Sequence, residues 1–586
     1  GYSQNWVALT HINQEWIPLI FYLLSFAFST RLLRPNSPRI DADSKPDEAE
    51  AAPPAKGAVS AIWASLRSRL PRVRVPGSVL STLLALLFLI AGLFPTEYFF
   101  GLEPLRFLFI WVIVSEATAG FMPRLRETLK HWWPYLVIWL ADAAWLAYYY
   151  KSGAYISYDL TAVQAAPQLS QALLAFGDAV WKAGVYVWVQ VLVLCAHALT
   201  TPSSLLTLAL IVITLALGTL YLLKLDPSQF GNRAFAVPAI LIGLTGILLG
   251  RLPSLVAGLP LTLQSSYDRF MISMMLGAGL FAVGLVELLV RNSSLKNLVF
   301  ALLIALGIGQ QFFNANIFRR DWARQQQIYW QMAWRMPALK PDTALITQQM
   351  PMDYETDFSM TAALNWMYAP KPHPSSLSYA LVYSEKRLGG IVLPSLQPGT
   401  VMHFPFRTVA FTGNTSQVVA IYVPPNGCLR VLDPTLGDAE TYGRFPVSLT
   451  GPIAISDPSR ILINNSPLVL PVAPFGHEPD HTWCYVYEKA ELARQVHDWQ
   501  QIAELGAQAS LGGFTPQDDF EWLPFIEAYA HTGNLKNAVN LTVRAWTEDT
   551  RLHRGLCVLW KRLQSQGSPE TQAAAAGIIG QFGCGQ

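Results

Sequence analysis

The run LVFALLIALGIGQQFFNANIF at residues 298–318 is followed directly by RRDWARQQQIYWQMAWRMP at residues 319–337. The first run carries no charge, and about 20 such residues let a helix cross the hydrocarbon core of a bilayer. The second run combines arginines with Trp and Met at helical spacing, which is typical of an amphipathic helix in water. The junction at Phe318 therefore predicts where the chain leaves the membrane.

The composition favours a chain that is largely embedded in lipid. Of the 586 residues, 52% are hydrophobic and 14% are charged, whereas soluble proteins carry about 25% charged residues. These values exclude a disordered protein and an ordinary cytosolic enzyme. The formal net charge of +2 is too small to attract a polyanion, so we expect no nucleic acid among the partners.

Nine apolar runs in the part up to Phe318 are candidates for membrane-spanning segments. Every backbone amide at membrane depth must be hydrogen-bonded within its own segment, so these runs are predicted to be helices. The runs are Trp16–Leu33, Leu80–Phe99, Leu105–Met122, Trp133–Tyr150, Ala179–His197, Leu205–Leu223, Ala236–Leu252, Met271–Val290 and Leu298–Phe313.

Charge placement predicts the orientation of the chain. The stretch 34–77 is rich in proline and acidic residues, is flanked by arginines, and is predicted to be a disordered cytoplasmic linker. Residues 1–33 then hold a first helix with a short exterior N-terminus. Everything after Phe318 is expected on the extracytoplasmic side of a bacterial inner membrane. Because the chain begins at Gly1 without Met, we also expect processing or a longer parent protein.

Nine crossings do not satisfy this orientation. The chain should be exterior both after Tyr150 and before Met271, but three candidate runs lie between these points, and three crossings would change sides. Asp178 and Lys182 flank or enter the run Ala179–His197, so we expect this run to be re-entrant or interfacial. The alternative is that the charge rule fails at one turn.

The residues after Phe318 change pattern twice. Short runs rich in Val, Ile, Phe and Tyr, separated by Pro and Gly, predict an extracytoplasmic mixed α/β domain at 318–480. Residues 481–567 have purely helical spacing and resemble one or two irregular tetratricopeptide-like units. Residues 568–586 are either a last helix or a frayed tail. The predicted fold class is therefore mainly α. A multi-spanning helix bundle at 78–317 is followed by the α/β domain and then by the helical domain.

One pentad, His477-Glu478-Pro479-Asp480-His481, has the letters of the zinc-protease motif. That motif needs a continuous helix with both histidines on one face, and the proline inside the pentad argues against such a helix. We therefore predict no metal site. Asp480 is instead expected to cap a helix that begins near Thr482.

The chain has five cysteines, four of them after Phe318. Disulfides are chemically permitted on the expected outer side. A bridge between Cys428 and Cys484 would join the α/β section to the helical section, while unpaired buried thiols are the alternative.

Charged side chains at membrane depth are costly and often functional. Glu116 and Asp142 lie within apolar runs, and Glu287 is expected to pair with Arg291 four residues on. The structural alternative for each acid is a hydrogen bond between helices.

The loop at 251–269 ends in Ser266-Tyr267-Asp268-Arg269 at the expected outer face. An arginine at the mouth of a helix bundle can bind a phosphate of a lipid-linked donor in bidentate fashion. The alternative is an interfacial anchor, with Tyr267 and Arg269 at the lipid headgroups and Asp268 as a helix cap.

Leu83–Pro95, Trp111 to Glu116, Trp133-Pro134-Tyr135 and Ser266-Tyr267-Asp268-Arg269 together resemble the later spans of polytopic GT-C-type membrane glycosyltransferases. The resemblance covers about residues 16–315. It implies a polyprenyl-phosphate-linked sugar as donor, transfer outside the cytoplasm, and a divalent cation as the one cofactor to consider. Members carry their catalytic acid in the first exterior loop. No such acidic loop follows an early helix here, so the loop is expected either upstream of Gly1 in a longer protein or not at all. No catalytic residue is carried over, and Arg269 is the one position matched, as a phosphate contact.

Two functions of different classes follow. The first is glycosyl transfer from a polyprenyl-phosphate sugar to an extracytoplasmic acceptor. The second is a non-catalytic membrane-anchored scaffold whose helices from Trp483 onward bind a protein partner. A transporter ranks third, because no inverted repeat is evident.

Overall fold

The computed structural model describes residues 15–31, 77–152, 169–192, 201–224, 235–262, 268–352, 355–369, 371, 376–387, 397–406, 409–442, 447–463 and 468–584. The chain divides into two compact units, an N-terminal unit, Gly1–Asn316, and a C-terminal unit, Ile317–Gln586. The predicted linker at 34–77 lies outside the described residues except for Gly77, as do the first residues of the chain.

The described residues of the N-terminal unit form helices, which follow the apolar runs. They are α1 (Ile17–Arg31), α2 (Gly77–Leu93), α3 (Glu103–Ala117), α4 (Phe121–Lys151), α5 (Leu169–Ala179), α6 (Val187–Leu192), α7 (Pro202–Lys224), α8 (Ala236–Val256) and α9 (Met275–Leu289). A π-helical stretch, Val180–Tyr186, makes α5 and α6 one continuous helix. Helix α10, Ser293–Arg335, has 43 residues and contains the Phe318 junction.

Helix lengths in the described residues fit a polytopic membrane protein. Six helical stretches are long and apolar enough to cross a membrane: Glu97–Ala117, Ser170–Leu192, Pro202–Lys224, Ala236–Val256, Arg269–Leu289 and Ser293–Arg335. Two shorter apolar helices cover Ile17–Thr30 and Leu80–Leu93. Helix α7 leaves most of its leucines exposed, as expected of a surface that meets lipid.

The stretch Ser170–Leu192 contains the described part of the run Ala179–His197, whose expected re-entrant or interfacial position stays a prediction. It is long and apolar enough to span, and its two charges are neutralised locally. Lys182 lies 2.8 Å from Asp178 one turn earlier, and its Nζ also donates to the carbonyl of Leu261 at 2.7 Å. An internal ion pair of this kind lowers the cost of placing both charges in an apolar helix.

Glycines allow α8 and α9 to pack closely. A Cβ on Gly243 would lie 2.5 Å from the backbone nitrogen of Phe281, and one on Gly277 would lie 2.5 Å from that of Ile247. Small residues let two helix backbones approach in this way, and the gain comes from van der Waals contact.

The C-terminal unit contains a four-stranded sheet in the order β4-β2-β7-β8. Its strands are β2 (Thr343–Thr347), β4 (Tyr379–Tyr383), β7 (Val418–Tyr422) and β8 (Arg430–Leu432). Strand β2 is parallel to β4 and β7, and β8 is antiparallel to β7. All residues of β2 and β4 are buried, as expected of parallel strands that are covered on both faces. In the described residues of this unit, the other strands are β1 (Ala338–Leu339), β3 (Ser376–Leu377), β5 (Val401–Phe406), β6 (Val409–Asn414) and β9 (Ile461–Leu462).

Helices follow and surround these strands. Helix α11 (Asp357–Tyr368) connects β2 to β4 and starts with a capping box between Thr356 and Ser359. Short helices are α12 (Ser384–Arg387), α13 (Asp438–Thr441), α14 (Val447–Ala454) and α15 (Val472–Phe475). The helical section contains α16 (Trp483–Arg494), α17 (Trp499–Leu511), α18 (Leu523–His531), α19 (Leu535–Glu548), α20 (His553–Gln566) and α21 (Pro569–Phe582). The predicted class, mainly α with a mixed α/β part, is confirmed.

Candidate functional site

A cavity of about 770 Å³ lies within the C-terminal unit, and we call it the arginine cleft. One wall is α10, which contributes Arg319, Arg320 and Arg324. The other walls are the loop after β7, the segment that leads into α16, and the loop between α17 and α18. These walls include Val423, Pro425, Asn426, Gly427, Cys428, Pro479, Asp480, Thr482, Trp483, Cys484, Gly513, Phe514, Thr515, Gln517 and Glu521.

The three arginines give the cleft its positive wall. Arg319 and Arg320 are exposed and follow the last residue of the apolar run. Arg324 is fixed, because its Nη2 donates to the carbonyl of Pro425. Arg320 and Arg324 also line a neighbouring cavity of about 490 Å³ that includes Met350–Met352. Guanidinium groups match phosphate in both charge and hydrogen-bond geometry.

The sheet topology explains why two cavities meet at this place. Parallel strands β2 and β7 are neighbours, and the chain leaves β2 towards β4 but leaves β7 towards β8 on the other side. Ligands of parallel α/β sheets bind at such a switch point, beyond the carboxyl ends of the strands. The loop after β2 lines the smaller cavity and the loop after β7 lines the larger one.

A buried carboxylate lies behind the cleft. Glu521 Oε1 accepts a hydrogen bond from the backbone N–H of Cys428, and Oε2 accepts one from Trp483 Nε1, each at 2.6 Å. Burial raises the pKa of Glu521 to about 7, although the positive charge of Arg430 acts in the opposite direction. Gly427 has φ +130°, and a Cβ there would lie 2.7 Å from Glu521 Oε1. Asp480 is the exposed acid of the cleft.

Two disulfides are present in the C-terminal unit. Cys428 pairs with Cys484 and joins the loop after β7 to α16. Cys557 pairs with Cys584 and joins α20 to the residues after α21. Sequence analysis considered the first pair and did not single out the second, because spacing alone does not reveal which cysteines meet.

The zinc-protease letters do not form a metal site. Glu478 Oε1 accepts a hydrogen bond from Trp334 Nε1 and lies 2.9 Å from His481 Nε2. In the described residues, no group of three or more His, Cys, Asp or Glu side chains could hold a metal ion. The expectation that Asp480 caps α16 was wrong. Thr482 is the N-cap residue, without a side-chain cap bond.

Of the residues predicted to contact a phosphate in the N-terminal unit, the structure describes the side chain of Arg269. Arg269 is half-buried in the short helix Asp268–Met274, with its guanidinium 5.2 Å from the ring centre of Phe270. Tyr267 and the side chain of Asp268 lie outside the described residues. The phosphate contact predicted for these three residues therefore stays a prediction.

The two intramembrane acids have opposite environments. Glu116 is exposed and is the penultimate residue of α3, because the helix ends at Ala117 instead of continuing to Met122. Glu116 therefore lies at the end of the helix, although the predicted run Leu105–Met122 placed it within the span. Asp142 is fully buried and has no hydrogen-bond partner among the described residues. Glu287 pairs with Lys296 at 2.6 Å, which replaces the expected pair with Arg291.

A buried ion pair on α3 was not predicted from the sequence. Arg106 Nε lies 2.6 Å from Glu103 Oε1, and both side chains are fully buried. The signal was available, because an acid and a base three residues apart within an apolar run lie on one helix face.

The arginine cleft combines groups that suit an amphiphilic anion. Its guanidinium groups attract phosphate, and its amide, carboxylate and aromatic side chains suit a hydroxylated headgroup. Its arginines begin at the residue where the apolar run of α10 ends. Comparisons of the chain with protein families, with curated proteins and with solved structures gave no match.

Proposed function

We propose that the protein is a cell-envelope membrane protein that binds the phosphate of a polyprenyl-phosphate-linked sugar in the arginine cleft and transfers the sugar in GT-C fashion. The observation that carries this proposal is the position of Arg319, Arg320 and Arg324. All three line one cavity, and Arg319 and Arg320 directly follow the uncharged run that ends at Phe318. A lipid-linked phosphate needs a cationic site at such a boundary, with its chain in lipid and its headgroup in water.

The lining of the cleft supports a sugar next to the phosphate. Gln327, Gln331 and Asn426 line the same cavity as the arginines, and amide side chains both donate to and accept from hydroxyl groups. Trp334 adds an aromatic wall. Arg269 remains a second candidate for a phosphate contact within the N-terminal unit.

Transfer would be a displacement at the anomeric carbon of the sugar. An acceptor oxygen forms the new bond, the bond to the lipid phosphate breaks, and the phosphate leaves with its electron pair. The acceptor hydroxyl must lose its proton to a base. Asp480 is the exposed carboxylate of the cleft and is our candidate for this base.

Two observations support an extracytoplasmic C-terminal unit at the inner membrane. Disulfides persist in oxidising compartments, and this unit contains two. Arg291 and Lys296 directly precede the last span, and basic residues at membrane ends favour the cytoplasm, which would direct this span outward.

Binding of matched lipids tests the proposal. The purified full chain in nanodiscs is titrated with a short polyprenyl phosphate and with the polyprenol of the same length. The two ligands differ only in the phosphate, so the proposal expects binding of the phosphate at least about 100-fold tighter, as two or more charge-assisted contacts give. Equal affinities would contradict the enzyme proposal and favour the scaffold, which needs no lipid phosphate.

A further inference from the structure

We propose that Glu521 and the Cys428–Cys484 disulfide position the wall of the arginine cleft, so that ligand binding and the integrity of this disulfide are coupled. We call this arrangement the Glu521 clamp. The inference rests on the proposed function, because its ligand is the lipid phosphate. It assigns to Glu521 a positioning role and no contact with the reacting atoms.

The geometry of the clamp joins three segments of the chain. Glu521 precedes α18, and its two carboxylate oxygens hold the N–H of Cys428 and the indole N–H of Trp483. Cys428 ends the loop after β7, and Trp483 begins α16. The disulfide between Cys428 and Cys484 joins the loop after β7 to the start of α16 covalently. Both bridged segments line the cleft, so their separation sets its width.

The carboxylate of Glu521 supplies the acceptors for both of these donors. Glu521 is fully buried, and a variant without its two acceptors leaves two buried donors unpaired, which is unfavourable. The charged and titratable groups around it are Arg430 on β8, Asp518 in the preceding loop, and Tyr487 and Glu488 on α16. Arg430 is itself paired with Asp518 at 2.7 Å, so it does not substitute for the two donors that Glu521 holds.

Access to the disulfide runs through the cleft. Cys428 is fully buried, whereas Cys484 is partly exposed and lines the cavity. A dithiol reductant therefore attacks the sulfur of Cys484 and forms a mixed disulfide, while the Cys428 thiolate leaves. The second thiol of the reductant then releases Cys484, so that the protein gains two electrons and two protons and the reductant becomes a cyclic disulfide. A ligand in the cleft covers this route. The two effects are thermodynamically linked. If reduction of Cys428–Cys484 changes the affinity for the ligand by some factor, then ligand binding changes the equilibrium constant for reduction by the same factor.

The first experiment needs no ligand. Full-length wild type and E521Q are exposed to dithiothreitol, free thiols are alkylated at intervals, and each disulfide is followed by mass spectrometry. The Gln side chain accepts from one donor and presents its own N–H groups to the other. We expect reduction of Cys428–Cys484 to be about tenfold faster in E521Q, with Cys557–Cys584 unchanged as the internal control. E504Q, at an exposed position of α17, should behave as wild type.

The second experiment uses wild type alone and so does not depend on how a variant folds. Saturating polyprenyl phosphate should slow the reduction of Cys428–Cys484 about tenfold or more and leave the reduction of Cys557–Cys584 unaffected. Polyprenol at the same concentration should slow neither reaction. Binding of the lipid without protection of Cys428–Cys484 would overturn this inference and leave the proposed function intact. Absence of binding would overturn both, and equal protection of the two disulfides would show general stabilisation and overturn the clamp.

Discussion

Arg106 and Glu103 form a fully buried ion pair between helical neighbours, with Nε 2.6 Å from Oε1. The pair reaches across to another helix, because Arg106 also donates to Ser25 and Ser29 of α1 at 3.0 and 2.9 Å. Tyr22 donates to Glu103 Oε2 at 3.3 Å. Charges at membrane depth are tolerated when they are paired and hydrogen-bonded. The pair therefore joins α1 to α3.

Removal of Arg106 should destabilise the helix bundle strongly. Arg106→Ala leaves Glu103 as an uncompensated buried charge, for which the expected loss is about 3–5 kcal/mol. Thermal unfolding of the protein in detergent measures it. Lys130→Ala is the matched control, because Lys130 is 68% exposed in its pair with Glu127 and exposed pairs contribute little. Similar melting temperatures for the two variants would show that the buried pair does not join the helices.

Two glycines of α9 provide a matched test of helix packing. A Cβ on Gly277 would overlap the backbone of α8, whereas a Cβ on Gly279 meets nothing within 4 Å. Gly277→Ala should therefore destabilise the protein by about 1–3 kcal/mol, and Gly279→Ala should be neutral or slightly stabilising. The comparison of their melting temperatures in detergent is decisive, since an equal response would mean that α8 and α9 do not pack at Gly277.

The raised pKa of Glu521 predicts how stability changes with pH. In the folded state the carboxyl group of Glu521 stays protonated up to about pH 7, whereas in the unfolded state it loses its proton near pH 4.5. The raised pKa of Glu521 therefore adds to the free energy of unfolding in full below about pH 4.5. This stabilisation, up to about 3 kcal/mol, is lost as pH rises to about 7.

Glu521→Gln removes this contribution. The difference in unfolding free energy between wild type and Glu521→Gln should thus change across pH 4.5 to 7 and stay constant above it. Asp438, whose pKa burial also raises to about 7, is present in both proteins and cancels in the difference. A difference that is independent of pH would mean that Glu521 titrates normally.

The orientation of the chain is testable in cells. Protease added to intact spheroplasts should cut the C-terminal unit, because we place it outside the cytoplasm. A tag inserted in the stretch 34–77 should be cut only after lysis. The reverse pattern would contradict the orientation and, with it, transfer on the outer side.

Apolar runs were sufficient to predict the helices of the N-terminal unit, because the preference of a segment for lipid depends on its own residues. It placed the Phe318 junction inside α10, although it did not show that one helix runs from Ser293 to Arg335. The end of α3 was missed, since the run of apolar letters continues past Ala117 while the helix stops there.

The arginine cleft was not predictable from the sequence in the same way. Arg320 and Glu521 are 201 positions apart, and they line one cavity because the fold brings the loop between α17 and α18 next to α10. The sequence pointed to Arg269 because that residue follows an exterior loop. It gave no reason to choose Arg319, which looked like the first polar residue of an amphipathic helix.

The most direct test of the account is the affinity of the full chain for polyprenyl phosphate after loss of two cleft arginines. Arg319→Ala/Arg320→Ala is compared with Arg551→Ala/Arg554→Ala, which removes the same charge at exposed positions near the start of α20. The account predicts at least about tenfold weaker binding for the first variant and unchanged binding for the second. Equal affinities of both variants and wild type would contradict a phosphate site in the arginine cleft.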